Sequence, residues 1–334
     1  MQCGPRGDVQ DLPIRPAERA ARRSANPDRA LVGAEPVKDL DAGRGRYVEP
    51  PIRGEWYSPT QPIPNKPPNY DRQGTSLDDL IDFTPDLRAE AMTLVEKFRM
   101  GSIYTPPVVS QWDGPRGTLM LPHTLGGANW PGGFYDPQTK TLYIYAATNL
   151  FSLGLVNDPR RSDMNFIQGV APKPETGSDE RLQLNMAFQV RGIPAVKPPW
   201  GRITAINLNT GGIAWQVPHG ETPDEVRNHP ALTGVTIPRT GSIGRIGTLV
   251  TKTLLVAGDG VVFTTPSGRK GAMLRAYDKV TGREVGAVDL PAPQAGSPMT
   301  YMLDGRQHLV VATSGPGHSG ELRAFRLPAA LAAN

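Results

Sequence analysis

The residues best suited to bind a small molecule lie in one glycine-rich corner of the sequence, Gly126-Gly-Ala-Asn-Trp-Pro-Gly132. Asn129 supplies an amide that donates hydrogen bonds without adding charge, and Trp130 supplies a flat apolar surface for stacking. An apolar run precedes this corner, and β-type residues follow it at Leu142–Tyr145. Two strands joined by such a corner are typical of a small-molecule site on a β-scaffold. Other roles stay open, because an asparagine can cap a Gly-Gly turn and a tryptophan can pack between sheets.

Signals for a metal site or a catalytic base are weak elsewhere. The five histidines show no metal-ligand spacing, and Cys3 is the only cysteine, which excludes a cysteine-based metal site and an internal disulfide. Asp259, Asp278 and Asp304 stand in turn contexts, so we assign none of them as a base.

The amino-acid composition and charge pattern exclude some classes of partner and of structure. The net charge is +4 with mixed signs, and no basic stripe is interleaved with aromatics, so we expect no nucleic-acid partner. No apolar run approaches the ~18 residues that span a bilayer, and no secretory leader stands at the start. Glycine (37) and proline (35) together exceed a fifth of the 334 residues, which favours many turns and few long helices.

The chain divides into three predicted regions. Residues 1–47 are rich in charge and poor in large apolar residues, which predicts a disordered tail. Residues 48–101 predict a proline-rich strap, anchored by Trp56 and Tyr57, and then a helix. Ser76–Asp79 has the form of a capping box, and Thr84-Pro85 supplies an N-cap with proline at the first helical position. The helix is expected to end at Met100-Gly101, with its apolar face formed by Leu87, Ala91, Leu94, Val95 and Phe98.

Residues 102–330 predict an all-β fold. Short β-rich runs separated by turn residues extend from Gly117 to Arg326, which favours a sandwich, barrel or propeller. Residues 150–199 interrupt them and are predicted to be a long surface insertion.

An internal repeat favours the propeller. Arg202–Trp215 aligns with Met273–Gly286 through a shared Ala-x-Asn/Asp-x-x-Thr-Gly core, and Tyr135–Lys140 is a partial third copy with lysine in place of glycine. The spacing of about 70 residues suits four-stranded blades with insertions. Trp215 is predicted to dock between blades, and Gly286 at the same place predicts a weakened contact.

Several stretches together carry a family resemblance. They are Ser58–Pro68, Leu80–Arg88, Gly126–Gly132, Gly201–Gly211, Trp215–Gly220, Arg227–Pro230 and Ser297–Tyr301. From about Glu55 to its end the chain resembles the C-terminal part of quinoprotein dehydrogenases, which use pyrroloquinoline quinone (PQQ). The membrane glucose dehydrogenase branch looks most similar.

The resemblance implies an eight-bladed propeller with PQQ on its axis and a calcium ion beside it. This chain holds a partial propeller of about three to four blades, flanked by one helix. Asn129 is similar to the asparagine that hydrogen-bonds the quinone. Trp130 is expected either to line the cofactor cavity or to pack between blades, as tryptophans do in propellers. Arg245 is expected either to meet a cofactor carboxylate or to be a solvated loop arginine. The resemblance places the catalytic aspartate, the calcium ligands and a cationic lysine in blades upstream of this chain.

The implied activity is periplasmic oxidation of a sugar or alcohol hydroxyl, with electrons passed to ubiquinone or a cytochrome. Because part of the ring is missing, the chain alone is expected to be inactive unless the missing propeller half joins it. Two other hypotheses stay open: a non-catalytic binding or scaffold module, and a fragment that folds poorly.

Overall fold

The computed structural model describes the backbone of residues 34–36 and 62–64, and residues 66–128, 130–174 and 188–326 in full. The first two segments form a two-stranded antiparallel sheet of β1 (Ala34–Pro36) and β2 (Pro62–Pro64). Apart from β1, the predicted tail lies outside the described residues, as do the predicted anchors Trp56 and Tyr57. The domain boundaries therefore stay a prediction.

The predicted helix is confirmed as α1 (Pro85–Val95). The Thr84 hydroxyl accepts the Leu87 amide at 3.3 Å, and the apolar face is buried in a cluster with Trp200. The Ser76–Asp79 capping box caps only a 3-10 turn, Leu77–Asp79. The helix ends five residues before the predicted Met100, because Arg99 leaves it to exchange backbone hydrogen bonds with the strand that begins at Thr118.

Three antiparallel meanders follow one another and form blades I to III. Blade I contains β5 (Gly133–Asp136), β6 (Thr141–Ala147), β11 (Gly201–Asn207) and β12 (Gly212–Pro218), hydrogen-bonded in that order. Blade II contains β13 (Leu249–Val250), β14 (Leu254–Gly258), β16 (Lys270–Asp278) and β17 (Glu284–Leu290), with β15 (Phe263–Thr264) beside β16. Blade III contains β18 (Met299–Leu303), β19 (Arg306–Gly315) and β20 (His318–Arg326). The predicted partial propeller is confirmed.

The expectation that residues 150–199 form a surface insertion is wrong for the described residues at both ends of this range, while 175–187 lie outside the described residues. A fourth sheet contains β3 (Val108–Val109), β4 (Thr118–Met120), β7 (Phe151–Val156) and β8 (Ile167–Gln168), and β9 (Gln189–Val190) pairs with β10 (Ile193–Pro194). Leu150, Val190 and Ile193 are buried in the cluster that also holds the face of α1. These apolar residues are separated by proline, glycine and charged residues, so no regular period marks them as core. The remaining short helices are α2 (Asp224–Arg227) and a 3-10 turn, Pro230–Leu232.

The repeated hairpin turns have the predicted chemistry. The Asn207 side chain accepts the Asn209 amide at 2.9 Å, and the Asp278 side chain accepts the Thr281 amide at 2.8 Å. Gly211 and Gly282 close these turns with positive φ (+67° and +74°). In the partial third copy Lys140 adopts φ +51° at the glycine position. Three copies of one turn thus share one backbone geometry.

A buried ion pair joins the core of blade II to its neighbours. Arg275 donates to Asp259 through Nε (2.8 Å) and Nη2 (3.0 Å), and the side chains are 4% and 0% exposed. Arg275 also contacts Glu284 in β17 and Glu221 after β12. Arg239 pairs with Glu284 at 2.8 Å, so the charges of this group largely compensate one another.

His219 is buried beside this ion-pair group. Its Nε2 lies 3.0 Å from the Gly258 carbonyl oxygen, and its Nδ1 lies 2.8 Å from the Tyr277 hydroxyl. A carbonyl only accepts, so Nε2 carries the proton of the neutral ring and Nδ1 accepts from Tyr277. Burial lowers the pKa of His219 to about 4, and the nearby Asp259 carboxylate opposes this effect only in part.

We expect His219 to make the fold acid-sensitive between about pH 6.5 and 4. In the unfolded chain its pKa returns to about 6.5, so the unfolded state binds the extra proton first. The free energy of unfolding should be highest above pH 6.5 and fall by up to about 3 kcal/mol as the pH drops to 4. Chemical denaturation across this range measures it. A His219→Gln variant, which keeps one donor and one acceptor, should show a flatter pH profile; an identical slope in both proteins would contradict the assignment.

Candidate functional site

A cavity of about 560 Å³ lies where all three blades meet at one end of their strands. Each blade contributes two parts to the lining of the cavity. One is the segment that precedes its first strand, and the other is the residues at the end of its second strand. The leading segments contribute residues 123, 125–127 and 130, then 243–245, then 293–295. The second contribution comes from Ala147 and Asn149, from Gly260, and from residues 314–316. A ligand here would contact the three blades at once.

The cavity brings together two of the predicted residues. Trp130 is 71% exposed and lines the cavity, so its ring is not buried between two sheets. Arg245 is exposed and lines the same cavity. Asn129 lies outside the described residues. The roles of all three toward a cofactor stay predictions, but Trp130 and Arg245 belong to one site.

Four polar lining residues were missed by sequence reasoning: His123, Asn149, Gln294 and Ser314. The strand register places Ala147 and Gly260 at corresponding positions, each four residues after the residue that pairs with the central alanine of its blade. Asn149 lies two residues beyond this position, so neither the repeat nor the hairpin turns point to it. Nothing in the local pattern marks His123 or Gln294.

His123 and Gln294 differ in whether they have a hydrogen-bonding group left for a ligand. The Nδ1 of His123 accepts the Leu125 amide at 3.1 Å, and its ring packs on Phe151 at 4.2 Å. Burial lowers the pKa of His123, which favours a neutral ring with its proton on Nε2. Gln294 accepts the Gly258 amide at 2.6 Å and donates to the Gly247 carbonyl oxygen at 2.7 Å. Gln294 is therefore a brace for the wall, whereas His123 has a donor left for a ligand.

Glycines let the walls approach closely. A Cβ atom built on Gly260 would lie 2.7 Å from the Gly244 Cα, so the backbones of two loops are in direct contact there. A Cβ on Gly127 would overlap the Asp71 carboxylate. A side chain at Gly260 would displace the backbone of the neighbouring loop, and one at Gly127 would displace the Asp71 side chain.

A buried ion pair supports the glycine-rich corner from below. Asp71 Oδ1 lies 3.2 Å from Arg202 Nη2, and both side chains are almost fully buried. Arg202 Nη2 also donates to Thr148, and the Gly127 carbonyl oxygen accepts the Ala147 amide at 3.0 Å. Burial raises the pKa of Asp71, and Arg202 opposes this effect. The strap residue Asp71 thus ties blade I to the underside of the corner.

The described lining of this cavity contains no carboxylate. Among the described residues, no three His, Cys, Asp or Glu side chains form a group that could hold a metal ion. The calcium ligands implied by the resemblance stay a prediction.

Comparison with known protein families shows to which family the chain belongs. A family model described as "PQQ: Glucose/ethanol/alcohol dehydrogenase, beta-propeller domain" matches residues 47–309. The chain belongs to this quinoprotein family. The match covers the strap, α1, blades I and II and the first part of blade III. The predicted resemblance to quinoprotein dehydrogenases is confirmed.

Three relatives show how much of a family member is present. Quinate/shikimate dehydrogenase (quinone) of Acinetobacter baylyi is 28% identical over 84% of this chain and 35% of its own length. Quinoprotein glucose dehydrogenase of Escherichia coli (strain K12) is 27% identical over 93% and 39%. A solved structure, quinohemoprotein alcohol dehydrogenase from Comamonas testosteroni, is 24% identical over 58% and 23%, with a TM-score of 0.35. The chain spans little more than a third of these two curated relatives.

The helices of the described residues are all too short or too polar to cross a membrane.

We expect Gly127→Ala to destabilise the corner. The added methyl group overlaps the Asp71 carboxylate, which cannot move without leaving Arg202 buried and unpaired. The free energy of unfolding should fall by about 1–3 kcal/mol, measured by chemical denaturation.

Gly320→Ala is the matched control, because a Cβ at Gly320 meets no atom within 4 Å. Its stability should stay close to that of the wild type. Equal stability of the two variants would show that Asp71 does not lie tightly against Gly127.

Proposed function

We propose that this chain forms one wall of a pyrroloquinoline quinone site in a dehydrogenase that oxidises sugar or alcohol hydroxyls. One observation carries the proposal: a member of the PQQ propeller family has a cavity in which the ends of three blades present an indole, a guanidinium and an amide. The volume of about 560 Å³ is within the range of small-molecule sites.

The residues of the cavity fit the chemistry of the cofactor. PQQ is flat and carries three carboxylates and an ortho-quinone, and when bound it supplies the two-electron oxidation of the substrate. Trp130 offers an apolar face for stacking, and Arg245 offers a charge-assisted hydrogen bond to a carboxylate. Asn149 offers an amide donor, in addition to the amide predicted at Asn129. The free Nε2–H of His123 offers a further neutral donor.

The catalytic base and the calcium ligands are proposed to come from the rest of the ring. No carboxylate lines the described part of the cavity, so nothing described there can take the proton of the substrate hydroxyl in the way an aspartate would. In blade III the apolar side chains of Met299, Met302 and Leu322 are 52%, 65% and 76% exposed. Exposed apolar residues along a terminal blade favour a further sheet as their partner.

The complete enzyme is proposed to act in the periplasm and to pass electrons to ubiquinone or a cytochrome. These statements rest on the family to which the chain belongs. Calcium is proposed as the metal of the complete site, held by residues outside those described.

A second candidate is a binding or scaffold module without redox chemistry. Such a module keeps the propeller fold but has lost the quinone site, and the described lining of the cavity, which contains no carboxylate, is compatible with it. Binding of the quinone separates the two candidates, because a scaffold that has lost the site would not bind it.

We expect the purified chain to bind PQQ, and Arg245→Gln to weaken that binding by about 10- to 100-fold. The variant removes a charge-assisted hydrogen bond worth about 1.5–3 kcal/mol. Isothermal titration calorimetry gives both dissociation constants. Arg269→Gln is the control, because Arg269 is an exposed arginine that pairs with Asp289 away from the cavity. An equal loss of PQQ affinity in the two arginine variants would show that binding depends only on the net charge of the protein. If the wild type does not bind PQQ, the scaffold module is favoured.

We expect the chain alone to give no dye reduction with PQQ, calcium and either glucose or ethanol beyond that of the free cofactor. The expected cause is the missing base and metal site. Sustained turnover, measured by bleaching of a redox dye, would place a complete site within this chain and contradict the half-site proposal.

A further inference from the structure

A second cavity lies between blades II and III, away from the proposed quinone site. It has a volume of about 660 Å³ and shares no described lining residue with the first cavity. Exposed Lys252, Gln307 and Arg326 also line it. Its walls are formed mainly by apolar side chains: Leu254, Val256, Leu274, Val288, Leu309 and Phe325.

The equivalent space between blades I and II is filled by aromatic rings. Across blade I the strand register aligns Tyr143, Ala205 and Trp215 in one row. The rings of Tyr143 and Trp215 pack at 5.7 Å, and Trp215 Nε1 donates to the Lys279 carbonyl oxygen at 3.1 Å in blade II. A Cβ on Gly282 would lie 2.7 Å from the Trp215 ring, so the indole is in tight contact with the turn of the next blade. The predicted docking role of Trp215 is confirmed.

The corresponding row of residues in blade II contains no aromatic side chain. Its register aligns Val256, Ala276 and Gly286, and in each blade the register shifts directly after the central alanine. Gly286 therefore occupies the position of Trp215. A Cβ atom built on Gly286 meets no heavy atom of the described residues within 4 Å, so none of these residues fills the place of the indole.

We infer that this cleft is a binding site for a planar aromatic small molecule about the size of indole. Between blades I and II the equivalent space is filled by the indole ring of Trp215, which shows that this blade-to-blade geometry accepts a ring of that shape. The cleft is apolar, lies within the size range of ligand sites, and has exposed polar groups beside it that can orient a polar substituent. The place next to Gly286 leaves apolar surface exposed on both blades, against which an aromatic ring can pack. The inference does not depend on the proposed function, because the two cavities are separate.

The test uses indole as the probe and the whole chain as the protein. The wild type should bind one indole with a dissociation constant on the order of 0.1–1 mM, as expected for a ligand of this size in a preformed apolar site. Calorimetry or ligand-observed NMR measures it. Gly286→Trp fills the cleft with its own side chain, so indole binding should weaken at least tenfold while the melting temperature rises.

Two further variants make the result decisive. Gly286→Leu fills the cleft with a smaller side chain and should also weaken binding, which keeps the test valid if Gly286→Trp does not fold. Gly320→Trp adds the same ring at another open strand position outside the cleft and should leave binding unchanged. The inference is wrong if the wild type does not bind indole, or if Gly320→Trp weakens binding as much as Gly286→Trp. It is also wrong if indole binds only to a chain that ends at Arg326, since residues 327–334 would then be the occupant.

Discussion

The buried pair of Asp259 and Arg275 is the constraint on which the arrangement of the blades depends. Asp259 follows β14 and precedes Gly260, which lines the first cavity, and Arg275 lies in the central strand β16. Neither charge reaches water, so each must keep its partner, and the cost of leaving one of them unpaired is several kcal/mol. Through Glu221 and Glu284 the same pair fixes the loop after blade I and the outer strand of blade II. The position of the cavity wall is thereby tied to the core.

The corner on the other side of the cavity is held by the same kind of interaction. Asp71 and Arg202 are buried beneath Gly127, and they join the strap to the inner strands of blade I. Trp130 and Arg245 are carried on loops, but these loops rest on buried ion pairs and on glycines in close contact with their neighbours. This combination gives the described walls of the cavity a fixed shape.

The three blades differ most in how their faces are covered. Blade I presents Tyr143 and Trp215 to blade II, blade II presents Val256 and Gly286 to blade III, and blade III exposes Leu322. Packing between blades therefore weakens along the chain, from an aromatic dock to an open cleft to a bare apolar face. The loss of one ring changes a structural contact into a space that can admit a ligand.

The sequence by itself determined the all-β fold, the repeated Asx-Thr-Gly turns, the helix at Pro85 and the family, because each depends on local backbone chemistry or on a contiguous motif. It also indicated Trp130 and the docking role of Trp215. Only the tertiary structure decided that Leu150, Val190 and Ile193 belong to the core, that α1 ends at Val95, and that His123, Asn149 and Arg245 share one cavity. These features arise where segments distant in sequence meet, and burial there is set by partners that no local pattern encodes.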